Sequence, residues 1–291
     1  MSNLLVTGAT GLIGSHLLAR VAERHAVWAI AREIPAAPSS AAVQWIAHDL
    51  SDSRLPDDLP EGIDTVIHLA QSPRFRDFPA SAPHVYEVNL GSTARLLDWA
   101  QRTGVKRFVY ASSGGVYGFG PQPFHEQDPL PVASLGHYAA TKRAAELLVD
   151  SYASCFTVAV LRFFFVYGEG QRQDMLIPRL VRNVREGNPI TLQGHDGLRM
   201  NPLHASDAAA AIEACLNLDR SETLNIGGPD ALSLRRIAEI IGAHLGRPPV
   251  FEVDEAASPR DLIGAIDRMR DRLVAPRVTF RDGVAGLCRP E

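Results

Sequence analysis

The chain has 291 residues, 46% hydrophobic and 21% charged, with a formal net charge of −4. Its Lys and Arg residues are scattered, which argues against nucleic acid as a partner, and no apolar run approaches the ~20 residues that span a bilayer. Cys155, Cys215 and Cys288 are distant and odd in number, and no metal-ligand spacing is present; we expect no disulfide framework, no metal and a cytoplasmic location.

In chain order, Leu4-Leu5-Val6 is predicted as a strand entering the turn Gly8-Ala9-Thr10-Gly11-Leu12-Ile13-Gly14, and Ser15 to Arg24 has helical spacing. Further strands are predicted at Ala26–Ile30, Val43–Ile46, Thr65–Leu69, Arg107–Ala111 and Thr157–Arg162, with helices at Val88–Thr103 and Tyr138–Ser154. Apolar strands alternating with helices imply an α/β fold, a Rossmann-type doubly wound parallel sheet covered on both faces. The second half is less regular. Helices are expected at Asp174–Glu186, Asp207–Leu216 and Ser233–Leu245, and short strands at Ile190–Leu192 and Thr223–Ile226. We therefore expect a cofactor lobe over residues 1–165, which also receives part of 195–225. A smaller, partly interleaved C-terminal α/β substrate lobe covers 166–291.

Three features carry chemistry. Gly8 permits a tight turn after the first strand, Gly11 lets backbone approach a ligand, and Gly14 allows close helix packing; the helix N-terminus then offers N–H groups to a pyrophosphate. About 20 residues beyond the glycines, where a dinucleotide fold often places an acid for the adenosine ribose, stands Arg32, followed by Glu33. A guanidinium suits a 2′-phosphate, which favours NADP over NAD. Finally, Ser113 closes the fifth strand, and Tyr138 and Lys142 lie four apart on one helical face. An ammonium beside the phenol favours phenolate and brings Tyr138 toward operating pH. Ser113 can hold a substrate oxygen, so the set suits proton transfer coupled to hydride transfer.

Together GATGLIG, the HLA at His68 to Ala70, the Asn89 helix, SSGGVYG and YAATK resemble an extended short-chain dehydrogenase/reductase. More narrowly they resemble the NAD-dependent epimerase/dehydratase family, which works largely on nucleotide sugars. LRFFFVYGEG, NPLHASDAAAAI and LNIGGPDALSL extend the likeness over nearly the whole chain. The resemblance implies Ser113, Tyr138 and Lys142 as the catalytic set. It places Thr10, Leu12 and Ile13 with the glycines, Asp49 and Leu50 near adenine, and Leu69, Ala70, Gln71, Asn89, Phe165 and Val166 along the cofactor. It also implies a homodimer pairing the helices at Val88–Thr103 and Tyr138–Ser154.

Two departures bear on the substrate. Family 4,6-dehydratases carry an Asp-Glu pair where this chain has Gly114 and Gly115, so dehydration is not expected, and the glycines leave room beside the reacting carbon. Phe165 replaces an Asn that helps to position the nucleotide-sugar. Ser72, Gly114, Gly115, Phe165, Arg199 and Asn201 are the candidate substrate residues, and His204 and Asp207 are read as support for the lobe junction. The expected activity is 4-keto reduction or 4-epimerisation of a nucleotide-sugar. The alternatives are an NADP-dependent reductase of a non-nucleotide carbonyl compound and a non-catalytic protein that senses NADP(H).

Overall fold

In the computed structural model, which describes residues 1–36, 42–131, 133, 135–258 and 260–289, the alternating pattern becomes one large parallel sheet. The chain supplies β1 (Asn3–Thr7), β2 (Ala26–Ala31), β3 (Val43–Ala47), β4 (Thr65–His68), β5 (Arg107–Ser113) and β6 (Thr157–Phe163). The short strands β7 (Val166–Tyr167), β8 (Pro189–Gln193), β9 (Arg199–Met200) and β10 (Leu203–His204) follow. Last come β11 (Glu222–Ile226), β12 (Leu232–Ser233) and β13 (Val250–Asp254). The seven-stranded sheet runs β11-β6-β5-β4-β1-β2-β3, and each of its pairs is parallel. From β1 the chain winds outward through β2 and β3, then resumes at β4 on the other side. The crevice above β1 and β4 is therefore the switch point where such sheets bind ligands.

The helices are α1 (Leu12–Val21), α2 (Ala82–Tyr86), α3 (Ser92–Arg102), α4 (His137–Ser151), α5 (Leu176–Glu186), α6 (Ala205–Ala214) and α7 (Leu234–Leu245), followed by the short α8 (Asp267–Arg272) and α9 (Phe280–Val284). Both faces of the sheet are covered, which is why β4 is buried at every position, its polar ends Thr65 and His68 included. On one face Leu17, Leu18 and Val21 of α1 and Ala208, Ala211 and Ile212 of α6 pack on Leu4, Val6, Leu161 and Leu224. On the other, Leu96, Leu97, Ala145 and Val149 of α3 and α4 pack on Leu5, Val66 and Phe108. Arg20 of α1 and Arg24 of the turn after it both pair with Glu213 of α6. Residues 205–226 thus return to the large sheet. A separate apolar cluster, with Leu180 and Val184 of α5 and Ile237 and Ile241 of α7, builds the second lobe. No helix among the described residues is long and apolar enough to cross a membrane.

Helix α1 runs from Leu12 to Val21, three residues earlier at each end than the expected Ser15 to Arg24, and two later helices also differ from expectation. The stretch expected at Val88–Thr103 opens with a π-helical segment, Glu87–Gly91, before α3. Ser92 Oγ donates to the Val88 carbonyl at 2.7 Å and Thr93 Oγ1 to the Asn89 carbonyl at 2.8 Å. These hydroxyls compete for carbonyls that a regular α-helix would use, so the wide turn has a local cause. Helix α4 ends at Ser151 rather than Ser154, its C-cap Tyr152 leaving helical geometry at φ −93°, ψ 4°.

Candidate active site

A cleft of about 700 Å³ opens along the carboxyl ends of β1, β2, β4, β5 and β6. Its floor is the glycine turn. Gly8 has φ +68°, and a Cβ there would lie 2.7 Å from Ala70 N and from the Leu69 carbonyl carbon. A Cβ on Gly14 would meet the Gly8 carbonyl oxygen at 2.3 Å. The two glycines thus let three backbone segments meet. Gly11 caps α1 without any side-chain hydrogen bond, so the N–H groups of the first turn, which have no helical partner, are left for a ligand. Thr10, Leu12, Ile13, Leu69, Ala70 and Gln71 line the same floor.

At the far end the cleft is walled by Arg32, His48, Asp49 and Leu50. Burial raises the Asp49 carboxyl, but bonds from Ser51 N and Oγ, with the charges of Arg32 and His84, outweigh it and leave the group lowered. Glu33 is exposed beside Arg32.

At the near end stand Ser113, Gly115, Tyr138, Lys142, Phe165 and Val166. The Tyr138 hydroxyl donates to Gln71 Oε1 at 2.9 Å, and its ring lies 5.0 Å from Phe75. Burial pushes the phenol up to about 12, opposed by a hydrogen bond with Ser113. The Lys142 ammonium donates to the Ala111 carbonyl at 2.8 Å and sits 5.0 Å over the Tyr110 ring. Burial lowers its pKa, against the pull of Glu146, to about 7. The expected depression of Tyr138 by Lys142 is therefore not seen: the ammonium is engaged with β5, and burial holds the phenol above its ordinary value.

Five expected site residues do not line the cleft. Ser72 is fully buried, its Oγ bonded to His84 Nδ1 at 2.8 Å. Asn89 accepts from Ser72 N at 2.9 Å and donates to Thr141 Oγ1 at 3.0 Å, bracing the π turn against α4. Asn201 is stapled both ways to Gly264, through its Oδ1 and Nδ2. Arg199 is exposed on the short β9–β12 pair. Gly114 leaves no room beside a reacting carbon, because the Phe164 ring fills that space: a Cβ on Gly114 would sit 2.5 Å from it.

Phe165 has φ +42°, a conformation that costs a Cβ-bearing residue roughly 1–2 kcal/mol and that Asn tolerates. The chain therefore stores strain at a position that faces the cleft. Two arginines escaped the sequence reading. Arg172 bonds Asp174 and the Pro73 carbonyl, and Arg76 bonds the Asp174 carbonyl; both line the cleft and clasp its two lobes together. They lie on irregular loops, where no periodicity marks them. His204 Nδ1 caps α6 through Ser206 N, and Asp207 holds the N–H groups of Arg277 and Val278. Among the described residues no cluster has the makings of a metal site.

The model of the NAD dependent epimerase/dehydratase family matches residues 4–227. The uncharacterized UDP-glucose epimerase YtcB of Bacillus subtilis is 30% identical over 302 residues, covering 97% of this chain and 95% of that protein. A dTDP-glucose 4,6-dehydratase of Streptomyces niveus is 31% identical over 249 residues, covering 83% and 74%. The crystal structure of UDP-glucuronic acid 4-epimerase from Bacillus cereus, in complex with UDP-glucuronic acid and NAD, superposes with a TM-score of 0.84 at 26% identity, covering 97% of this chain and 96% of that one. Its NAD gives no support to the NADP preference expected from Arg32. With a cleft built at the switch point of its sheet, this chain is an enzyme of the extended short-chain dehydrogenase/reductases and belongs to the NAD-dependent epimerase/dehydratase family.

Proposed function

We propose that the protein is a nucleotide-sugar 4-epimerase that keeps NAD bound through its cycle. The observation that carries this reading is the convergence of Ser113, Tyr138 and Lys142 with the free N-terminus of α1 in one cleft. The residues fit a dinucleotide. The glycine cradle admits no Cβ at Gly8 or Gly14, and His48 Nε2 and Gln171 Oε1, both on cleft-lining residues, are buried without a partner. Backbone N–H groups of the first turn of α1 would hold the pyrophosphate, Asp49 and Leu50 the adenosine, and Lys142 the nicotinamide ribose. When bound, NAD supplies a hydride acceptor that returns the hydride to the oxidised sugar.

The chain's own groups then handle the proton. Ser113 holds the sugar C4 oxygen, and Tyr138 takes and returns its proton. The raised phenol needs a nearby positive charge for that exchange, which the ring of oxidised NAD would supply when bound. Dehydration needs an acid and a base near the reacting carbon. Asp49 is the one carboxylate among the described lining residues, and it lies at the adenosine end; this supports epimerisation even though dehydratases are among the relatives. An epimerase recovers its own hydride and gains nothing from an NADPH pool, so we assign NAD, with Arg32 serving as counter-charge to Asp49. We keep the homodimer of the α3–α4 face as a proposal, to be read by sedimentation. For the function itself, Tyr138→Phe should still bind NAD and UDP-hexoses while losing turnover by about 10²–10⁴-fold. Unchanged activity in that variant removes the acid–base role and the reading with it.

A further inference from the structure

Tyr138, Lys142 and Glu146 follow one another at four-residue steps along α4, so the three lie on one face of the helix. Glu146 is 1% exposed. Its Oε1 accepts from Ser112 Oγ at 2.5 Å and from Arg162 Nε at 3.0 Å. Its Oε2 accepts from Arg162 Nη2 at 2.9 Å and Arg143 Nη1 at 3.1 Å. Arg162 in turn donates to the Tyr117 hydroxyl at 2.7 Å, and that hydroxyl donates to Asn225 Oδ1 at 2.8 Å. One carboxylate thus joins α4 to β5 and β6, and through Tyr117 to β11.

A buried ion pair is weak evidence for stability, because apolar residues of like volume often serve as well. What this pair does have is position. Ser112 immediately precedes Ser113 on β5, and Lys142 lies one helical turn before Glu146. The groups facing Lys142 are Glu146 on its own helix, Tyr110 and the Ala111 carbonyl on β5, and His68 on β4. Glu146 is the one negative charge named in that set.

We propose that Glu146 is a positioning residue for the proton-transfer centre: it ties the end of β5, where Ser113 stands, to the helix carrying Tyr138 and Lys142, and its charge lies one helical turn from the buried Lys142 ammonium. The proposal rests on the epimerase reading for its kinetic consequence, but not for its electrostatic one. The chain contains two lysines, Lys106 and Lys142. Lys106 is 70% exposed and serves as an internal control, so both can be followed by nuclear magnetic resonance in protein labelled with ¹³C-lysine.

The experiment compares wild type, Ser112→Ala and Glu146→Gln, each with NAD bound. In Ser112→Ala the ion pair remains; kcat should fall between about 10- and 100-fold, as expected for a misplaced reacting group, with KM within about twofold and the melting temperature nearly unchanged. In Glu146→Gln the Lys142 midpoint should move to lower pH while Lys106 stays put, and the basic limb of the pH–rate profile should move with it. If Ser112→Ala keeps full kcat, or the Lys142 midpoint is unmoved in Glu146→Gln, the proposal is overturned. Should Glu146→Gln fail to fold, Ser112→Ala still decides. Should wild type turn over no sugar, the epimerase reading fails while the lysine titration still tests Glu146.

Discussion

Replacing Gly8 and Gly104 by Ala, one at a time, separates conformational cost from steric cost. Both have left-handed φ, +68° and +75°. The same roughly 1–2 kcal/mol for placing a Cβ there applies to each, and so does the gain of about 0.4–1 kcal/mol from a stiffer unfolded chain. Their surroundings differ. A Cβ on Gly104 meets nothing within 4 Å, whereas on Gly8 it meets Ala70 N and the Leu69 carbonyl carbon at 2.7 Å. Those are backbone atoms at the end of β4, which cannot rotate away. Overpacking of this kind costs about 1–3 kcal/mol. At roughly 2–4 °C per kcal/mol for a large domain, Gly8→Ala should melt about 2–12 °C below Gly104→Ala. The measurement is thermal denaturation by circular dichroism, with and without NAD. Because the clash lies in the proposed cofactor cradle, Gly8→Ala should also lose the stabilisation by NAD that Gly104→Ala keeps. Equal melting temperatures and equal NAD stabilisation would refute the close approach of β1 and β4 as the reason for Gly8.

Other expected outcomes follow from single groups. His68 is fully buried between Thr7 Oγ1 at 2.6 Å and Thr93 Oγ1 at 3.0 Å, and burial, reinforced by Lys142, holds its imidazole down to about 3. The folded state keeps it neutral where the unfolded chain binds a proton, so its contribution is whole above the unperturbed value of 6.5 and is lost as pH falls toward 3. In that window stability should fall about 1.4 kcal/mol more steeply per pH unit than in His68→Gln, as read by urea titrations at pH 6, 5 and 4. Parallel curves would contradict the buried neutral imidazole. Gly114→Ala should lose about 1–3 kcal/mol through contact with the Phe164 ring. Gly115→Ala, whose Cβ would stand 3.3 Å from Ser113 Oγ, should lose less; the reverse order in denaturant midpoints would contradict the packing. Arg32→Asp should leave NAD affinity within a few-fold and abolish any NADP binding, as measured by calorimetry. Equal losses for both would show that Arg32 does not discriminate at the 2′-position.

The parallel sheet was legible because strands buried on both faces have no reason to alternate: Val66-Ile67 and Val158 to Leu161 are apolar without interruption. The glycine turn and Tyr138-x-x-x-Lys142 were legible because spacing along a strand–helix junction and along a helix fixes direction in space. Polar residues on the irregular segments were not. Ser72, Asn89 and Asn201 have the chemistry of ligand-binding residues, but each is consumed by buried backbone or side-chain partners, and only tertiary placement decides between those uses. Gly114 was visible as a glycine, yet its reason is a phenylalanine 50 positions further on. The left-handed backbone at Phe165 was hidden because phenylalanine is a poor guide to positive φ. The predicted helix at Val88 missed its π turn because hydroxyl back-bonding leaves the apolar period almost intact.

The central claim is tested most directly by incubating the purified protein with UDP- and dTDP-hexoses deuterated at C4 and following the sugar by nuclear magnetic resonance. Epimerisation with retained NAD predicts two C4 epimers approaching equilibrium, the deuterium still on C4, and no net release of reduced cofactor. A 4-keto-6-deoxy product, or consumption of one reduced cofactor per turnover, would contradict it.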